Sequence, residues 1–587
     1  MCINDINSLD SLDFVLFGGD ITDFGADDEL YSVKQMMDSL KYKYYVVPGN
    51  HDCKWSESGC NTFKKLFGYE QFQFSIKGWR FLGCSCGPDM RMAPALVPKE
   101  SMDWLASLEP GEPSIFVNHF PQDTSVLNYF DVTRQLKRIG VQFTIGGHWH
   151  NNYSLNFEGI PAVLGRSSMK DKHKPEGYNI FDITPEGRVT ITERRYVDGR
   201  FENLEPWYTN DLAPVPETMT YDADGISESY PWMRYDVNKE YPQVRERWKI
   251  RESGNIASGF AMAGEYAYYA TCSGVVNCIK LADGSKVWSR DIGSKIFSTP
   301  ALQGKYLVFG CSDENTYALD ASTGDLIWTA EAQGPVMGSP VIYKDVVYIG
   351  ASDGCFRALD LYTGREVWKF DEAKGFIECR AFVDDEQVVF GDWSCRLYSL
   401  DTKTGDLQWT WQCDKRARVF SPAACWPVKS NGRIFFVVPD RKAYALDAKT
   451  GQQLFYVNGG REAIGLSEDG TTVFIKTMFH KSYAFRTDVA VPSDGVLPPE
   501  QLLWNVDNGS GYEIGTTALS EKNGVVITPT DKGNFFALSA ADGSLLWYHK
   551  LSLALVNPLK VWNSPEGKML VLASTMDGVI SLMEITS

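Results

Sequence analysis

Residues 317–328 read YALDASTGDLIW, and the stretch returns as RALDLYTGREVW at 357–368, YSLDTKTGDLQW at 398–409 and YALDAKTGQQLF at 444–455. Asp-x-x-Thr-Gly makes a tight turn, because its glycine supplies a positive φ. The aromatic residue that follows packs between neighbouring sheets. The anchors are Trp248, Trp288, Trp328, Trp368, Trp409, Phe455, Trp504 and Trp547; the first four are 40 residues apart and the later spacings drift upward. A period near ~40 residues with several strands in each unit is propeller grammar. Eight anchors predict eight blades, with seven as the alternative. The first Trp strand is expected to close the ring against the last unit, which ends at GVISLMEI.

The anchors also account for much of the tryptophan content, 17 residues. A chain of 587 residues exceeds a single core, so more than one domain is expected. Lys+Arg 57 against Asp+Glu 75 gives a net charge of −18. That excludes a general nucleic-acid or anionic-membrane binder, since both need a basic surface. It leaves room for an anionic substrate in a locally positive site. The 13 cysteines include one C-x-C, Cys84 and Cys86, and no C-x-x-C, so buried free thiols are expected rather than a disulfide framework or thiolate zinc site. No apolar run reaches the ~18 residues of a membrane span. No charged-then-apolar leader opens the chain, and localisation stays open.

Residues 1–200 follow another grammar. Short apolar strands, Phe14–Phe17, Tyr44–Val47, Phe72–Ile76, Trp79–Leu82, Ser114–Val117 and Gln142–Ile145, alternate with helical stretches near 27–41, 101–108 and 131–139. This predicts an α/β domain. The wholly apolar Phe14–Phe17 suits a strand buried on both faces of a parallel sheet. Ile3, Ile6 and Leu9 precede it on one helix face. A parallel strand entered from a helix normally has a partner strand before that helix, and this sequence has no room for one. The segment GYNIFDITPEGRVTITERRY reads as a hairpin finishing a sheet. The predicted domains are 1–204, a connector 205–245 rich in Pro, Tyr, Asp and Glu, and the propeller 246–587.

Four loops of the first half each follow an apolar strand and carry metal-type ligands: FGGDITDFG with Asp20 and Asp23, VVPGNHD with Asn50, His51 and Asp52, IFVNHFP with His119, and TIGGHWHNN with His148 and His150. Strand ends of an open α/β sheet reach one crevice. Oxygen and imidazole ligands without thiolate suit Mn, Fe, Zn or similar divalent ions. Two such ions about 3.5–4 Å apart activate water for in-line attack on a phosphoryl group. Strand alternation predicts that His148 and His150 point to one side and that Trp149 faces the core. Asn118, Asn151, Asn152, Tyr153 and Arg166 lie beside the motifs, as substrate contacts or ordinary loop residues.

Residues 10–200 resemble the calcineurin-like metallophosphoesterases. That family runs Asp-x-His, Gly-Asp-x-x-[Asp/Asn], Gly-Asn-His-[Asp/Glu], a single His after a strand, then Gly-His-x-His. The last four appear as Gly19–Asp23, Gly49–Asp52, His119 and Gly147–His150. The resemblance implies that Asp20 bridges two metals, that Asn50, His119 and His148 complete one site, and that His150 belongs to the other. His51 would be the general acid or charge stabiliser, oriented by Asp52, with Asp23 behind the ligands. Asp-x-His has no counterpart here. Asp5 is no substitute, since its stretch reads as helix. The sequence is therefore read as lacking that strand, with one full ligand set and a half-set of Asp20 and His150.

The propeller units resemble the pyrroloquinoline-quinone (PQQ) type repeat, with its Ala-x-Asp-x-x-Thr-Gly-x-x-x-Trp motif. The quinone dehydrogenases that share it use an adjacent Cys-Cys pair and a calcium site. No Cys-Cys occurs here, and no PQQ is expected. The fold expectation is an α/β metallophosphoesterase sandwich followed by an all-β propeller. The functional expectation is metal-dependent hydrolysis of a phosphate ester, small molecule or polymer, with the propeller as interaction or substrate-access module. The rival is a catalytically impaired scaffold whose propeller holds a protein or glycan. The repeat resembles those of exported bacterial proteins, which favours a periplasmic home; the unpaired cysteines oppose it.

Overall fold

The computed structural model describes residues 1–53, 55–87, 90, 95–170, 174–219, 235–461 and 463–586. The chain divides into two compact units, Met1–Pro231 and Trp232–Ser587.

In the first unit the helices are α1 (Cys2–Ser8), α2 (Asp27–Met37), α3 (Asn50–Cys53), α4 (Asn61–Phe67), α5 (Lys99–Ser107) and α6 (Tyr129–Ile139). The strands are β1 (Val15–Phe17), β2 (Tyr44–Val46), β3 (Gln71–Ile76), β4 (Trp79–Cys84), β5 (Ser114–Val117), β6 (Val141–Gly146), β7 (Tyr153–Phe157), β8 (Ile160–Leu164), β9 (Gly177–Ile183), β10 (Arg188–Val197) and β11 (Arg200–Asp211). They form a parallel β1-β2 pair, a sheet β3-β4-β5-β6-β8-β7 and a sheet β11-β10-β9. Trp79, Phe81, Ile115, Phe143 and Val163 of the larger sheet pack on Val189, Ile191 and Leu212, closing a sandwich.

Local chemistry fixes the helix ends. Glu29 caps α2 by accepting the N–H groups of Phe24, Gly25 and Ala26 at 3.0, 2.9 and 3.2 Å. The helix stops at Met37, short of the expected Lys41, because Ser39 and Leu40 turn back to the Met36 and Met37 carbonyls. Gly140 ends α6 with φ +90°.

Two expectations need correction. β1 is parallel to β2, with Val15 opposite Tyr44, but its residues are half-buried rather than enclosed on both faces. Among the described residues β2 is its one ladder partner, so one edge stays open. The sheet that was read as a hairpin has a third strand, β11, which runs to Asp211 inside the segment read as connector from residue 205. Asp5 pairs with Arg194 at 2.6 Å and bonds the Tyr178 hydroxyl, which accounts for it structurally.

Among the described residues the second unit is built from eight four-stranded sheets. We number the blades by their first strands: Ala261–Ala263, Ala301–Gln303, Val341–Tyr343, Phe382–Val383, Val428–Ser430, Ile464–Leu466, Ser520–Lys522 and Lys560–Asn563. First strands of blades 1 and 2, 2 and 3, 3 and 4, 6 and 7, and 7 and 8 touch one another, so they are the inner strands. Val244–Arg251 pairs with Val579–Ile585 and completes blade 8, as the first Trp strand was expected to do. Ile256, Phe260 and Tyr269 of blade 1 pack on Leu570, Leu572 and Ile580 of blade 8, which closes the ring.

Each anchor reaches the next blade. The indole N–H groups of Trp248, Trp288, Trp328, Trp368, Trp409 and Trp504 donate to the carbonyls of Leu281, Ala321, Leu361, Thr402, Ala448 and Ala540 at 2.8–3.1 Å. The glycine of the facing turn lies under the indole. A Cβ at Gly364 would stand 2.6 Å from the Trp328 ring. Phe455 cannot donate, and the later spacings widen where 413–427 and 487–503 carry extra turns. The 13 cysteines are thiols outside any disulfide, as expected, and all but Cys2 and Cys355 are buried.

Candidate metal centre

The motif residues sit at the C-terminal ends of parallel strands. Asp20 follows β1, Asn50 and His51 follow β2, His119 follows β5 and His148 follows β6. The loops approach closely because two glycines let them. A Cβ at Gly19, whose φ is +91°, would lie 2.7 Å from His119 Nδ1, and one at Gly49 would lie 2.2 Å from Asp20 Oδ1.

His119 is buried, and its Nδ1–H donates to the Gly18 carbonyl at 2.7 Å. A carbonyl only accepts, so Nε2 is turned to the centre. There it meets Asp20 Oδ2 at 3.1 Å and His148 Nδ1 at 3.3 Å. One ligand atom from each of Asp20, His119 and His148 lies within 4.8 Å of the others. Phe120 packs on the His148 ring at 3.9 Å. The Asn50 side-chain oxygen is buried and accepts no hydrogen bond among the described residues. A buried acceptor without a partner is costly, and Asn50 precedes His51, whose N–H meets Asp20, so it is the amide that would join the three as a ligand. The donor set of carboxylate, imidazole and amide oxygen fits a divalent ion of the Mn, Fe or Zn kind.

The electrostatics agree. Burial raises the Asp20 carboxyl, but the His119 hydrogen bond and charge and the His51 N–H outweigh burial and leave it at about 2. Burial opposes a charge on His119, yet Asp20 prevails and its pKa is raised. Burial and the His119 charge pull His148 down to about 4, so its ring is neutral at pH 7. The depressed Asp20 and the raised His119 share one cause, the attraction between the carboxylate and positive charge at this centre.

Residues 1–152 match the family model described as calcineurin-like phosphoesterase. The first unit is a calcineurin-like phosphoesterase domain. Residues 242–369, 273–410 and 352–491 match the model described as outer membrane protein assembly factor BamB. Over 52 residues the chain is 46% identical to a probable glycerophosphodiester phosphodiesterase GpdQ of Arcobacter nitrofigilis, covering 9% of this chain and 19% of that one. Over 118 residues it is 26% identical to a 3′,5′-cyclic-nucleotide phosphodiesterase, alr5338, of Nostoc sp., covering 19% and 41%. The chain therefore spans less than half the length of either relative. BamB from Moraxella catarrhalis aligns with 58% of this chain and 97% of its own, at 20% identity and a TM-score of 0.47.

Within the phosphoesterase domain the remaining expected residues fall as follows. Asp52 was expected to orient His51. Its carboxylate instead accepts from the N–H groups of Gly49, Ile21 and Thr22 and from the Thr22 hydroxyl, at 2.8, 3.3, 2.9 and 2.7 Å, and so ties the first two loops together. The His51 Nδ1 bonds the main-chain carbonyl of Asp23, and the His51 N–H donates to Asp20 at 2.8 Å. His150 is exposed and outside the three-residue cluster, though its charge acts on His148. Trp149, expected in the core, is 38% exposed and meets Tyr153 edge-on at 5.4 Å. β6 ends at Gly146, and His148 and His150 have φ +63° and +60°, so strand alternation no longer governs the segment. Arg166 is spent on Glu193 and the Ser167 and Pro175 carbonyls, and Asn152 on Arg166, Asn179 and Glu193. The Gly18 carbonyl and Phe120, which fix the two ligand rings, were not anticipated; Phe120 was signalled only by adjacency to His119.

Proposed function

We propose that the phosphoesterase domain hydrolyses a phosphate ester, with a diester favoured, at a divalent-metal centre held by Asp20, His119, His148 and Asn50. The observation that carries this reading is the convergence of three ligand atoms within 4.8 Å; the unpartnered Asn50 oxygen, one residue before the His51 N–H that donates to Asp20, supports it. Both relatives are named as phosphodiesterases, which supports the diester. A bound metal supplies a Lewis acid for the phosphoryl oxygen and a water of lowered pKa. The chain's own residues do the rest. The Gly18 carbonyl locks the His119 tautomer, and Phe120 holds the His148 ring. His51 is the proposed proton donor to the leaving oxygen, its ring fixed by the Asp23 carbonyl. His150, with Asp20, would hold a second ion. The propeller is proposed as an interaction or substrate-access module.

The test is turnover of bis(p-nitrophenyl) phosphate and p-nitrophenyl phosphate by the full chain with manganese, alongside metal content. The diester should turn over faster, and activity should vanish with chelator and in His119→Ala. Undiminished turnover in His119→Ala would overturn the reading. Failure to take up metal would favour the rival, a binding protein with an idle phosphoesterase unit.

A further inference from the structure

A cavity of about 240 Å³, open on one side, lies among the inner strands around the propeller axis. Its walls come from the inner strands of blades 1, 2, 3 and 8 and the segments leading into those of blades 4 and 5. Most of the lining residues are apolar, including Phe260, Met262, Leu302 and Trp426; Thr299 is polar, and two residues are charged. Arg380 precedes the inner strand of blade 4, and Lys560 begins that of blade 8. Blades four apart in a ring of eight stand on opposite sides of the axis. The two cations therefore face each other across the channel.

Nothing of opposite sign accompanies them. No Asp or Glu lines the cavity among the described residues, in a chain whose net charge is −18. Neither side chain makes an ion pair or hydrogen bond among the described residues. The Arg380 guanidinium lies over the Trp426 ring, 5.5 Å from its centroid, which restrains it. The blades surround Arg380, yet its surface stays open to the water of the channel, so it keeps its charge. Burial lowers the Lys560 pKa, and the like charge of Arg380 lowers it further. Two cations sharing one cavity without a counter-charge cost stability, and the Trp426 ring answers only one of them.

We propose that this axial cavity binds a small oxyanion, a phosphate or a carboxylate, between Arg380 and Lys560. The anion answers both charges at once, and charge-assisted contacts of this kind are the strong ones. The cavity is smaller than the ~300–1,000 Å³ pockets of drug-sized ligands, which points to a small ion or a short acid. This proposal does not rest on the phosphoesterase reading.

The test is titration calorimetry of the full chain with inorganic phosphate and with succinate at low ionic strength, against sodium chloride of equal strength. At least one should bind saturably at one per chain, and which one binds separates the two oxyanion classes. Affinity should fall at least tenfold in Arg380→Gln and in Lys560→Gln and persist in His119→Ala, whose propeller is untouched. Ligand-free Arg380→Gln and Lys560→Gln should melt no lower than the parent, since each removes a like charge. Absence of saturable binding by both probes, binding that survives both channel substitutions, or binding lost in His119→Ala would each overturn the site. Lost binding together with a lower melting temperature would assign the two residues to the fold and overturn it as well.

Discussion

Gly49 has no room for a methyl group. A Cβ there would stand 2.2 Å from Asp20 Oδ1 and 2.3 Å from Asp20 N, whereas one at Gly18 would meet nothing within 4 Å. Gly49→Ala must push Asp20 from its place beside His119. Misplacing a ligand's support commonly costs about 10–100-fold in metal affinity, and that loss is expected here by manganese calorimetry. Gly18→Ala keeps the carbonyl that holds His119 and should bind as the parent does; equal losses in both variants would refute the steric argument. The ligands themselves were legible, because metal chemistry restricts residue type and each followed a strand. What was not legible runs through the backbone. The Gly18 and Asp23 carbonyls orient two histidines, and a main-chain contact leaves no mark in a sequence. The left-handed turns at His148 and His150 turned Trp149 outward, and alternation rules have no term for them.

Among the elements, the propeller turns offer a controlled comparison. Gly364 has φ +70° and the Trp328 indole 2.6 Å from any Cβ; Gly304 has φ +58° and open space around it. Alanine at Gly304 is expected to cost only the backbone strain, about 1–2 kcal/mol. At Gly364 the clash with the anchor adds roughly 1–3 kcal/mol. Denaturant unfolding of the two variants measures the difference, which is the packing of one anchor on its turn. Equal losses would mean that the glycine serves the turn alone. Long amphipathic helices such as α2 and α6 were readable from their apolar spacing, since both span several turns. α3 has four residues, too few to show a period. The β7-β8 hairpin turns through Glu158-Gly159, with φ +55° and +90°. That turn ordinarily advertises itself with Asn-Gly or Asp-Gly, and glutamate there gives no signal.

At the scale of the molecule, the ring closes by pairing Val244–Arg251 with the strand Val579–Ile585 near the other end of the chain. The repeat period made that closure readable, although the side chains that seal the seam with blade 7 were not. The Asn238 side chain bonds both the N–H and the carbonyl of Lys550, at 2.7 and 2.9 Å, and His549 meets Glu246 at 2.9 Å. Lys550 is 2% exposed, and its ammonium donates to the Lys532 carbonyl at 2.7 Å. Burial pulls its pKa down to about 7; Asp577 opposes the shift and Lys532 adds to it. The unfolded lysine titrates near ~10.4. Between those values the unfolded chain holds a proton that the folded chain has released, so stability rises with pH, at most by about 1.4 kcal/mol per pH unit. Below pH 7 both states are protonated and the penalty is complete. Lys550→Met removes this group from the linkage. The variant's unfolding free energy relative to the parent should be greatest at pH 7 and below, then decline steadily toward pH 10. The lost Lys532 contact shifts the comparison by a constant and leaves its slope intact. Parallel stability curves for parent and variant from pH 7 to 10, followed by tryptophan fluorescence in denaturant, would mean that the seam lysine keeps its proton and that the closure carries no pH dependence from it.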